Sequence, residues 1–528
     1  MKWLDDIVDQ FRNVDKEVLV SSGASPSGVY HVGHLREIVI ADAVVRALKQ
    51  AGIRARHVHV SDNLDAFRKV PVNLPASYEQ YLGMPLYTVP SPDDRYDSWG
   101  DFCLKPFLDS ADKIGVTMDV IYASDKYRSG FFVPAIERSL SRIDKAKLAI
   151  QEVSGRQLDD QWSPIQIMEH GRLKNRRFIS MDSDAKTITY RSHDDSEHTV
   201  RYDDGQVKLD WRLDWPGRWW LLGVDVEPFG RDHATKGGSY DTGKRIAREV
   251  YDIDAPVPVP YDFINRTGDT KKMSASKGTG VNAHDVVDML PPEVVRYFML
   301  RYSPAKRLYF DETDSLVRLV DDFAVMKQHP QNELDEQLLF LCTDGLSHPA
   351  VSSIPFSHLV ISYQAALCDM AKTMEILRRS PEYARIVDEE ETVIITELGY
   401  VSQWLERWAP ESLKFRLADE VRPDEFSPEQ KEYLRRLADD ITGAPAEADG
   451  NWFHQAIYAY KESGLLPPRE LFTTIYRVLI GKDSGPRAGW FLSILPRDWL
   501  VERLRLDLSL NFFIFFFKKF KVLRLCFC

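Results

Sequence analysis

Two short segments combine residue types that could act on the phosphates of a nucleotide. The first, residues 28–34 (GVYHVGH), places His31 and His34 three positions apart at the predicted start of a helix. A helix N-terminus carries unpaired N–H groups and the positive end of the helix dipole, so it attracts phosphate. The two imidazoles could donate hydrogen bonds as charge builds up on a transferring phosphoryl group, and Gly33 would let a base approach the backbone. Taken alone, the segment could also be a chance pair of histidines.

The second segment, residues 272–278 (KMSASKG), is a basic loop rich in small residues. Lys272 and Lys277 could act as point charges on the β- and γ-phosphates. Ser274 and Ser276 lie between them in the same predicted ATP-binding loop. A mobile loop of this kind can close on pyrophosphate and open afterwards. Alone it could be a solvated basic loop, but the two segments in this order predict the two halves of one ATP site.

The elements around the first segment predict a βαβ unit. Residues 17–22 form a predicted buried strand and residues 23–28 a loop of small residues. Apolar residues at helical spacing over 32–48 predict a helix, and residues 53–60 a second strand. Because a βαβ unit implies a parallel sheet, we expect the ligand at the carboxyl edge of the strands.

Downstream the pattern changes twice. Residues 155–210 combine charge, short alternations and turn residues, which predict a small β-rich insertion. A strand is then predicted over 219–226 and a helix over 243–251. After that, helical spacing dominates, with helices predicted over 356–377 and 452–464.

The 528 residues suffice for roughly three domains. The predicted fold is an α/β, Rossmann-like parallel sheet split by the small β-rich insertion and followed by an α-helical C-terminal region. We divide the chain into residues 1–154 and 211–325 (the two halves of the Rossmann-like domain), 155–210 (the insertion), 326–505 (the helical region) and 506–528 (an atypical tail). The tail is an apolar and basic run too short to cross a membrane. It could be genuine or the product of a frameshift.

The composition limits the possible classes of protein. A net charge of -12 argues against binding nucleic acid by bulk charge, although 68 Lys and Arg suffice for a local basic face. The five cysteines are odd in number and sparse, which fits a reducing cytoplasm. Acidic residues stand near the N-terminus where a signal peptide needs an apolar core. We therefore expect a cytoplasmic protein that does not enter a membrane.

The two segments also resemble the signatures of a known family. They are similar to the HIGH and KMSKS signatures of class I aminoacyl-tRNA synthetases. Ala275 stands where the common form has its second lysine, and Lys277 follows two positions on. This variant resembles the class I lysyl-tRNA synthetases of archaea and some bacteria. The supporting segments are residues 67–71 (FRKVP), 211–216 (WRLDWP), 223–233 (GVDVEPFGRDH), 237–241 (GGSYD), 404–415 and 485–487 (GPR).

The resemblance implies a pocket for lysine. Its residues, carried over by motif position, are Gly23, Ser25, Trp211, Asp214, His233 and Tyr261. Ser25 stands where threonine is usual and keeps the hydroxyl. Asp214 could accept a lysine ammonium, and Trp211 and Tyr261 could offer ring faces for cation–π contact. The alternatives are core packing for the rings and a turn or surface position for the acid.

The implied reaction has two steps. Lysine attacks ATP to give lysyl-adenylate, and the 3′ end of tRNA(Lys) then takes the lysyl group. The residues expected to be catalytic are His31, His34, Lys272 and Lys277. ATP would bring Mg²⁺ with it. The helical region would hold the anticodon arm, with basic and aromatic residues to contact it: Arg477, Lys482, Arg487, Tyr476 and Trp490. The sequence does not give the oligomeric state, although a monomer is favoured.

Two smaller groups leave their roles open. Asp62, Asp65 and Arg68 could form a rim near ATP or the acceptor end of tRNA, or an acidic pair at a helix N-terminus. Relatives often carry C-x-x-C pairs in the insertion, but no cysteine lies between Cys103 and Cys342. His170, His193 and His198 with Asp194 could in principle bind zinc, but their spacing is poor, so no metal site is expected.

Three other functions remain as alternatives. A nucleotidyltransferase shares the H-x-G-H turn but is usually a short single domain. A glutamyl-type synthetase should use arginine on the substrate carboxylate. A non-catalytic RNA-binding paralogue would have no need of both signatures.

Overall fold

The computed structural model describes residues 1–72, 74–158, 162–268, 281–346, 348–462 and 464–506. The chain divides into two compact units. Unit 1 takes the described residues of Met1–Asp288, Pro292–Phe310 and Asn332–Ser347. Unit 2 takes those of Met289–Pro291, Asp311–Gln331 and His348–Cys528.

The strands all belong to unit 1. In chain order they are β1 (Val18–Ala24), β2 (Ala55–Ser61), β3 (Asp119–Tyr122), β4 (Ile165–Glu169), β5 (Arg172–Asn175), β6 (Arg177–Asp182), β7 (Thr187–Arg191), β8 (Glu197–Arg201), β9 (Val207–Leu209), β10 (Val226–Gly230), β11 (Val257–Tyr261), β12 (Ile264–Arg266) and β13 (Leu308–Phe310).

The first twelve helices are α1 (Lys2–Phe11), α2 (Val32–Gln50), α3 (Trp99–Lys113), α4 (Ala123–Arg128), α5 (Val133–Ser141), α6 (Ile143–Ser154), α7 (Trp211–Leu222), α8 (Ser239–Ile246), α9 (Ala283–Met289), α10 (Pro292–Leu300), α11 (Asp314–Gln328) and α12 (Glu333–Thr343). The remaining helices, all in unit 2, are α13 (Phe356–Ala365), α14 (Met370–Arg379), α15 (Ala384–Glu389), α16 (Glu391–Arg407), α17 (Pro428–Thr442), α18 (Gly450–Ala459), α19 (Pro468–Ile480), α20 (Ala488–Ser493) and α21 (Arg497–Leu504). Short 3₁₀ helices lie at Ala76–Tyr81 and Pro423–Glu425, and a π-helical turn over Ala247–Tyr251 continues α8.

Unit 1 is built on a five-stranded parallel sheet with the order β11-β10-β1-β2-β3. Helix α2 is almost entirely buried and packs on β1, β2 and β10. The pairs Ala24–Ser61 and Gly230–Tyr261 lie in register at the carboxyl ends of their strands. These ends therefore form a common edge, where ligands bind in open α/β sheets.

Gly23 is required by the close approach of two strands. A Cβ at this position would lie 2.9 Å from the Val60 carbonyl oxygen of β2. Strand β1 continues through Ala24. The loop predicted over 23–28 therefore begins two residues later than expected.

The predicted insertion contains strands β4 to β9. They form two antiparallel three-stranded sheets, β5-β4-β9 and β6-β7-β8. Together with the parallel sheet of unit 1 and the helices of unit 2, these strands confirm the predicted fold class.

Two predicted elements were wrong. The first half of the strand predicted over 219–226 belongs to helix α7, and only residue 226 lies in a strand. Asp210 caps α7 at its N-terminus, and the helix ends at Gly223, which has a φ of 70°. The single helix predicted over 356–377 is two helices, because Leu367 and Cys368 adopt left-handed backbone angles. Asp369 then caps the start of α14. In the described part of the chain, none of the helices has the length and apolar character needed to cross a membrane.

Candidate active site

A cleft opens at the carboxyl edge of the central sheet of unit 1. Its volume is about 780 Å³, and the ends of β1, β2, β10 and β11 meet α2 and α7 around it. Every predicted site residue that the structure describes lines this cleft: Gly23, Ser25, His31, Gly33, His34, Trp211, Asp214, His233 and Tyr261. Lys272, Ser274, Ser276 and Lys277 lie outside the described residues. The structure thus brings together side chains that stand more than 200 positions apart in the sequence.

The two histidines cap helix α2 reciprocally. His31 is the N-cap residue, and its Nδ1 accepts a hydrogen bond of 3.1 Å from the Gly33 N–H. The Nδ1 of His34 accepts one of 3.1 Å from the His31 N–H. In each neutral ring the proton must then sit on Nε2, the nitrogen that points away from the capping bond. The helix start therefore holds two ring N–H donors 4.2 Å apart between ring centres.

Gly33 has a steric role in this cap. A Cβ there would lie 2.8 Å from Cε1 of the His31 ring. A larger residue would displace the imidazole, so glycine at this position holds the ring as well as leaving room for a ligand.

Glu37 was not anticipated from the sequence. It lies one helical turn after His34 and faces the cleft. Its Oε2 accepts a hydrogen bond of 2.6 Å from the Tyr261 hydroxyl and its Oε1 one of 3.0 Å from the Gly23 N–H. Burial raises the pKa of Glu37 to about 7, although both hydrogen bonds oppose that rise. It forms no ion pair with any residue that the structure describes.

Asp214 is almost completely buried, with 1% of its surface exposed. Its Oδ1 accepts a hydrogen bond of 2.7 Å from the Tyr127 hydroxyl, and its Oδ2 forms an ion pair with Arg218. Arg218 also pairs with Asp62. Asp214 thus lines the cleft with its carboxylate already paired, whereas Glu37 has no cationic partner among the described residues.

Asp62 and Asp65 belong to the same buried network. Lys208, with 1% of its side chain exposed, lies 3.3 Å from Asp62 and 3.0 Å from Asp65. Burial opposes ionisation of Asp62, but Arg218 and Lys208 outweigh it and lower its pKa to about 2. Neither acid stands at a helix N-terminus, so that alternative was wrong. Arg68 is mostly exposed, 3.7 Å from Asp65.

Glu227 on β10 also lines the cleft and was not anticipated; it forms no ion pair within the described ranges. Its Oε2 accepts a hydrogen bond of 3.0 Å from the Trp215 indole and another from the Trp219 indole. Burial raises the pKa of Glu227 to about 7 against these two hydrogen bonds.

Aromatic rings form one wall of the cleft. The Trp215 ring lies 5.7 Å from Phe229 and 5.6 Å from the predicted site residue His233, between ring centres. The Arg212 guanidinium lies 4.2 Å over the Trp211 ring. Such a wall suits the methylene chain of a ligand whose ends are polar.

The predicted contacts of the helical region fall partly in its core. Trp490 is buried and stacks on His358 with 3.9 Å between ring centres. Tyr476 is buried as well, and its hydroxyl donates to the Pro486 carbonyl. Both rings are packed inside unit 2 rather than presented to a nucleic acid. Within the described ranges, no three His, Cys, Asp or Glu side chains are grouped so that they could hold a metal ion.

A parallel sheet with an H-x-G-H helix start at its carboxyl edge agrees with the class I aminoacyl-tRNA synthetase fold and site expected from the sequence. The family model described as "tRNA synthetases class I (K)" matches residues 1–339. The chain therefore belongs to the class I lysyl-tRNA synthetase family.

Curated relatives cover nearly the whole chain. The lysine–tRNA ligase 1 of Methanosarcina acetivorans is 35% identical over 532 residues, which is 96% of this chain and 98% of the relative. The lysine–tRNA ligase of Archaeoglobus fulgidus is 35% identical over 96% of this chain and 99% of its own. That of Thermoplasma volcanium is 32% identical over 97% of this chain and 100% of its own.

Among solved structures, a glutamate–tRNA ligase from Elizabethkingia meningosepticum is 13% identical to the chain with a TM-score of 0.39. It covers 93% of this chain, and this chain covers 98% of it. The TM-score is low, and the family assignment does not depend on it.

Proposed function

We propose that the chain is a lysine–tRNA ligase that activates lysine with ATP and transfers it to the 3′ end of tRNA(Lys). The observation that carries this proposal is the charge of the cleft beside His31 and His34. Of its acidic lining residues, Asp62, Asp65 and Asp214 form ion pairs with Lys208 and Arg218, whereas Glu37 and Glu227 form no ion pair with a described residue. Such a cleft favours a substrate with two ammonium groups and repels glutamate.

On the ATP side, His31 and His34 would donate from Nε2 to the α-phosphate as its charge develops. Gly33 would leave room for the base. Mg²⁺ would arrive with ATP, held by the phosphates and water rather than by a protein cage.

The basic loop would complete this side of the site with Lys272, Ser274, Ser276 and Lys277. Support comes from the chain that follows it. The Val32 N–H donates to the Val281 carbonyl at 3.0 Å, and the Ala283 N–H donates to the Tyr30 carbonyl at 3.0 Å. Since Val281 follows Lys277 by four residues, the chain between them spans at most about 14 Å. That length is compatible with one shared triphosphate.

On the lysine side, Glu37 and the Tyr261 hydroxyl would accept an ammonium group of the substrate. Binding a cation would favour the ionised form of Glu37. Trp211 and His233 would flank the methylene chain. Asp214 would act indirectly, because its contacts with Arg218 and Tyr127 hold these side chains in place beside the cleft. Gly23 and Ser25 would contact the substrate from the end of β1.

The reaction asks little covalent chemistry of the protein. Positioning and charge stabilisation would supply most of the acceleration. We further propose that unit 2 holds the anticodon arm and that the enzyme works as a cytoplasmic monomer.

The test is a substrate panel with the purified chain. ATP–pyrophosphate exchange is measured with each amino acid in turn, and aminoacylation is measured with tRNA. We expect exchange that depends on lysine and transfer to tRNA(Lys). Exchange with glutamate instead of lysine, or tRNA binding without any exchange, would refute the proposal.

A further inference from the structure

The position of Glu227 distinguishes it from the other acids of the cleft. Its side chain is more than nine-tenths buried, with 7% exposed, yet it lines the cavity. The indole N–H groups of Trp215 and Trp219 both donate to the same oxygen, Oε2. The other oxygen, Oε1, has no hydrogen bond to a described residue. Glu227 is also one of the residues that line the cavity.

Among the described residues Glu227 forms no ion pair, although the Arg218 charge favours its ionisation from a distance. From α7 the two indoles donate neutral N–H groups, and the Arg218 guanidinium is committed to Asp62 and Asp214. From α2, Glu37 adds negative charge, which disfavours ionisation of Glu227. From α8, Tyr240 contributes a phenol. A carboxylate in such a place is costly to ionise unless a cation comes within reach.

We propose that Glu227 is a second specificity-determining acceptor, so that Glu37 and Glu227 each bind one of the two ammonium groups of lysine. This inference rests on the proposed function, since it says which side chains recognise the two ammonium groups of lysine. It explains why two separate acids that form no ion pair with the described part of the chain line one cleft. It also implies that an amino acid with a single ammonium group leaves one buried acid unsatisfied and is rejected.

A merely structural role for Glu227 is the competing explanation, since it joins α7 to β10 through the two indoles. Glu227→Gln separates the two. The amide oxygen still accepts from the indoles, whereas the charge that faces the cavity is lost. Glu17→Gln is the matched control, because Glu17 is a half-exposed acid of unit 1 that pairs with Arg56 outside the cleft.

The experiment measures lysine-dependent ATP–pyrophosphate exchange for the three proteins. We expect Glu227→Gln to raise the KM for lysine by about 30-fold or more, as loss of one partner of a buried charge pair does. The KM for ATP and the far-ultraviolet circular dichroism should stay unchanged. Two inhibitors should then respond differently: norleucine, which lacks the ε-ammonium, and 6-aminohexanoate, which lacks the α-ammonium. In Glu227→Gln the inhibition constant of one should rise by the same factor as the KM for lysine, and that of the other should stay unchanged.

The outcomes separate the two proposals. A wild-type chain without lysine-dependent exchange overturns the proposed function and this inference with it. A normal KM in Glu227→Gln beside an active wild type overturns the inference alone, and so does an equal loss for both inhibitors.

If Glu227→Gln fails to fold, the wild type decides. Norleucine and 6-aminohexanoate each leave one of the two acids without its ammonium group, so the inhibition constant of each should exceed the KM for lysine by about 30-fold or more. An inhibition constant of either compound close to the KM for lysine would overturn the inference.

Discussion

Replacing Glu37 with Gln should change stability and substrate binding in opposite directions. The carboxyl is held by Tyr261 and Gly23 but has no cationic partner in the described chain. Burial therefore makes its ionised form costly in the free protein. The amide oxygen can still accept from the Gly23 N–H, and the amide N–H can donate to the Tyr261 oxygen once that hydroxyl rotates. The substitution removes the cost of ionisation, and it also removes the charge proposed to bind lysine.

The size of the stability effect follows from the pKa. Burial raises the pKa of Glu37 to about 7 from its ordinary 4.5. Between these values the native state holds a proton that the unfolded chain releases, so stability falls as the pH rises from about 4.5 to about 7. The shift corresponds to about 3 kcal/mol as an upper bound. Because the carboxyl is open to water in the cleft, we expect about 1–2 kcal/mol.

Hydrogen–deuterium exchange of peptides from β1 and α2 measures this effect within unit 1. Near pH 8, Glu37→Gln should protect these amides more than the wild type does, and near pH 5 the two proteins should be alike. Glu17→Gln, on the surface, should match the wild type at both values. Equal protection of Glu37→Gln and wild type near pH 8 would refute the reasoning about its pKa.

The same variant should bind lysine poorly. The KM for lysine in ATP–pyrophosphate exchange should rise by about 30-fold or more. An unchanged KM would show that Glu37 does not contact the ammonium group.

Three further substitutions test other parts of the site. His34→Ala should abolish adenylate formation while costing about 1 kcal/mol of helix capping, and near-normal exchange would remove the role assigned to the imidazole. Arg218→Met leaves Asp62 and Asp214 without their shared cation, so it should destabilise unit 1 by about 3–5 kcal/mol; an unchanged thermal transition would contradict the network. Lys277→Ala should lower kcat of exchange by about 100-fold with little change in the KM for lysine, and a change in KM alone would contradict its proposed action on pyrophosphate.

The start of the fold was predictable because its signals are local. An apolar strand, a loop of small residues and a helix that begins at His31 all lie within residues 17–50, and the structure follows that order. The helix α7 was missed because a run rich in tryptophan and leucine has no clear period. Its ends were nevertheless marked by Asp210 and Gly223, which are common helix-capping residues.

The roles of the carboxyl groups in the cleft could not be predicted from local sequence signals in the same way. Glu37 lies three positions after His34, on the same helix face, which was a usable signal. Glu227 lies in β10, and its partner Trp219 was placed in the predicted strand over 219–226 instead of in helix α7, so the two indole contacts of Glu227 were not foreseeable. The pairing of Asp214 with Arg218 and Tyr127 depends on tertiary packing, and Tyr127 stands 87 positions away.

The break between α13 and α14 had no glycine or proline to mark it. Leu367 and Cys368 adopt φ values of 58° and 61°, which residues other than glycine seldom adopt. The Cys368 N–H donates to the Tyr363 carbonyl at 2.8 Å at the end of α13, and the spacing of apolar residues does not reveal such a hydrogen bond.

A structure of the chain with a sulfamoyl analogue of lysyl-adenylate tests the account most directly. The sulfamoyl group should lie within hydrogen-bond distance of Nε2 of His31 and His34, and an ammonium group of the lysyl moiety should contact Glu37 and the Tyr261 hydroxyl. An analogue bound outside the cleft, or one whose ammonium groups avoid Glu37, would contradict it.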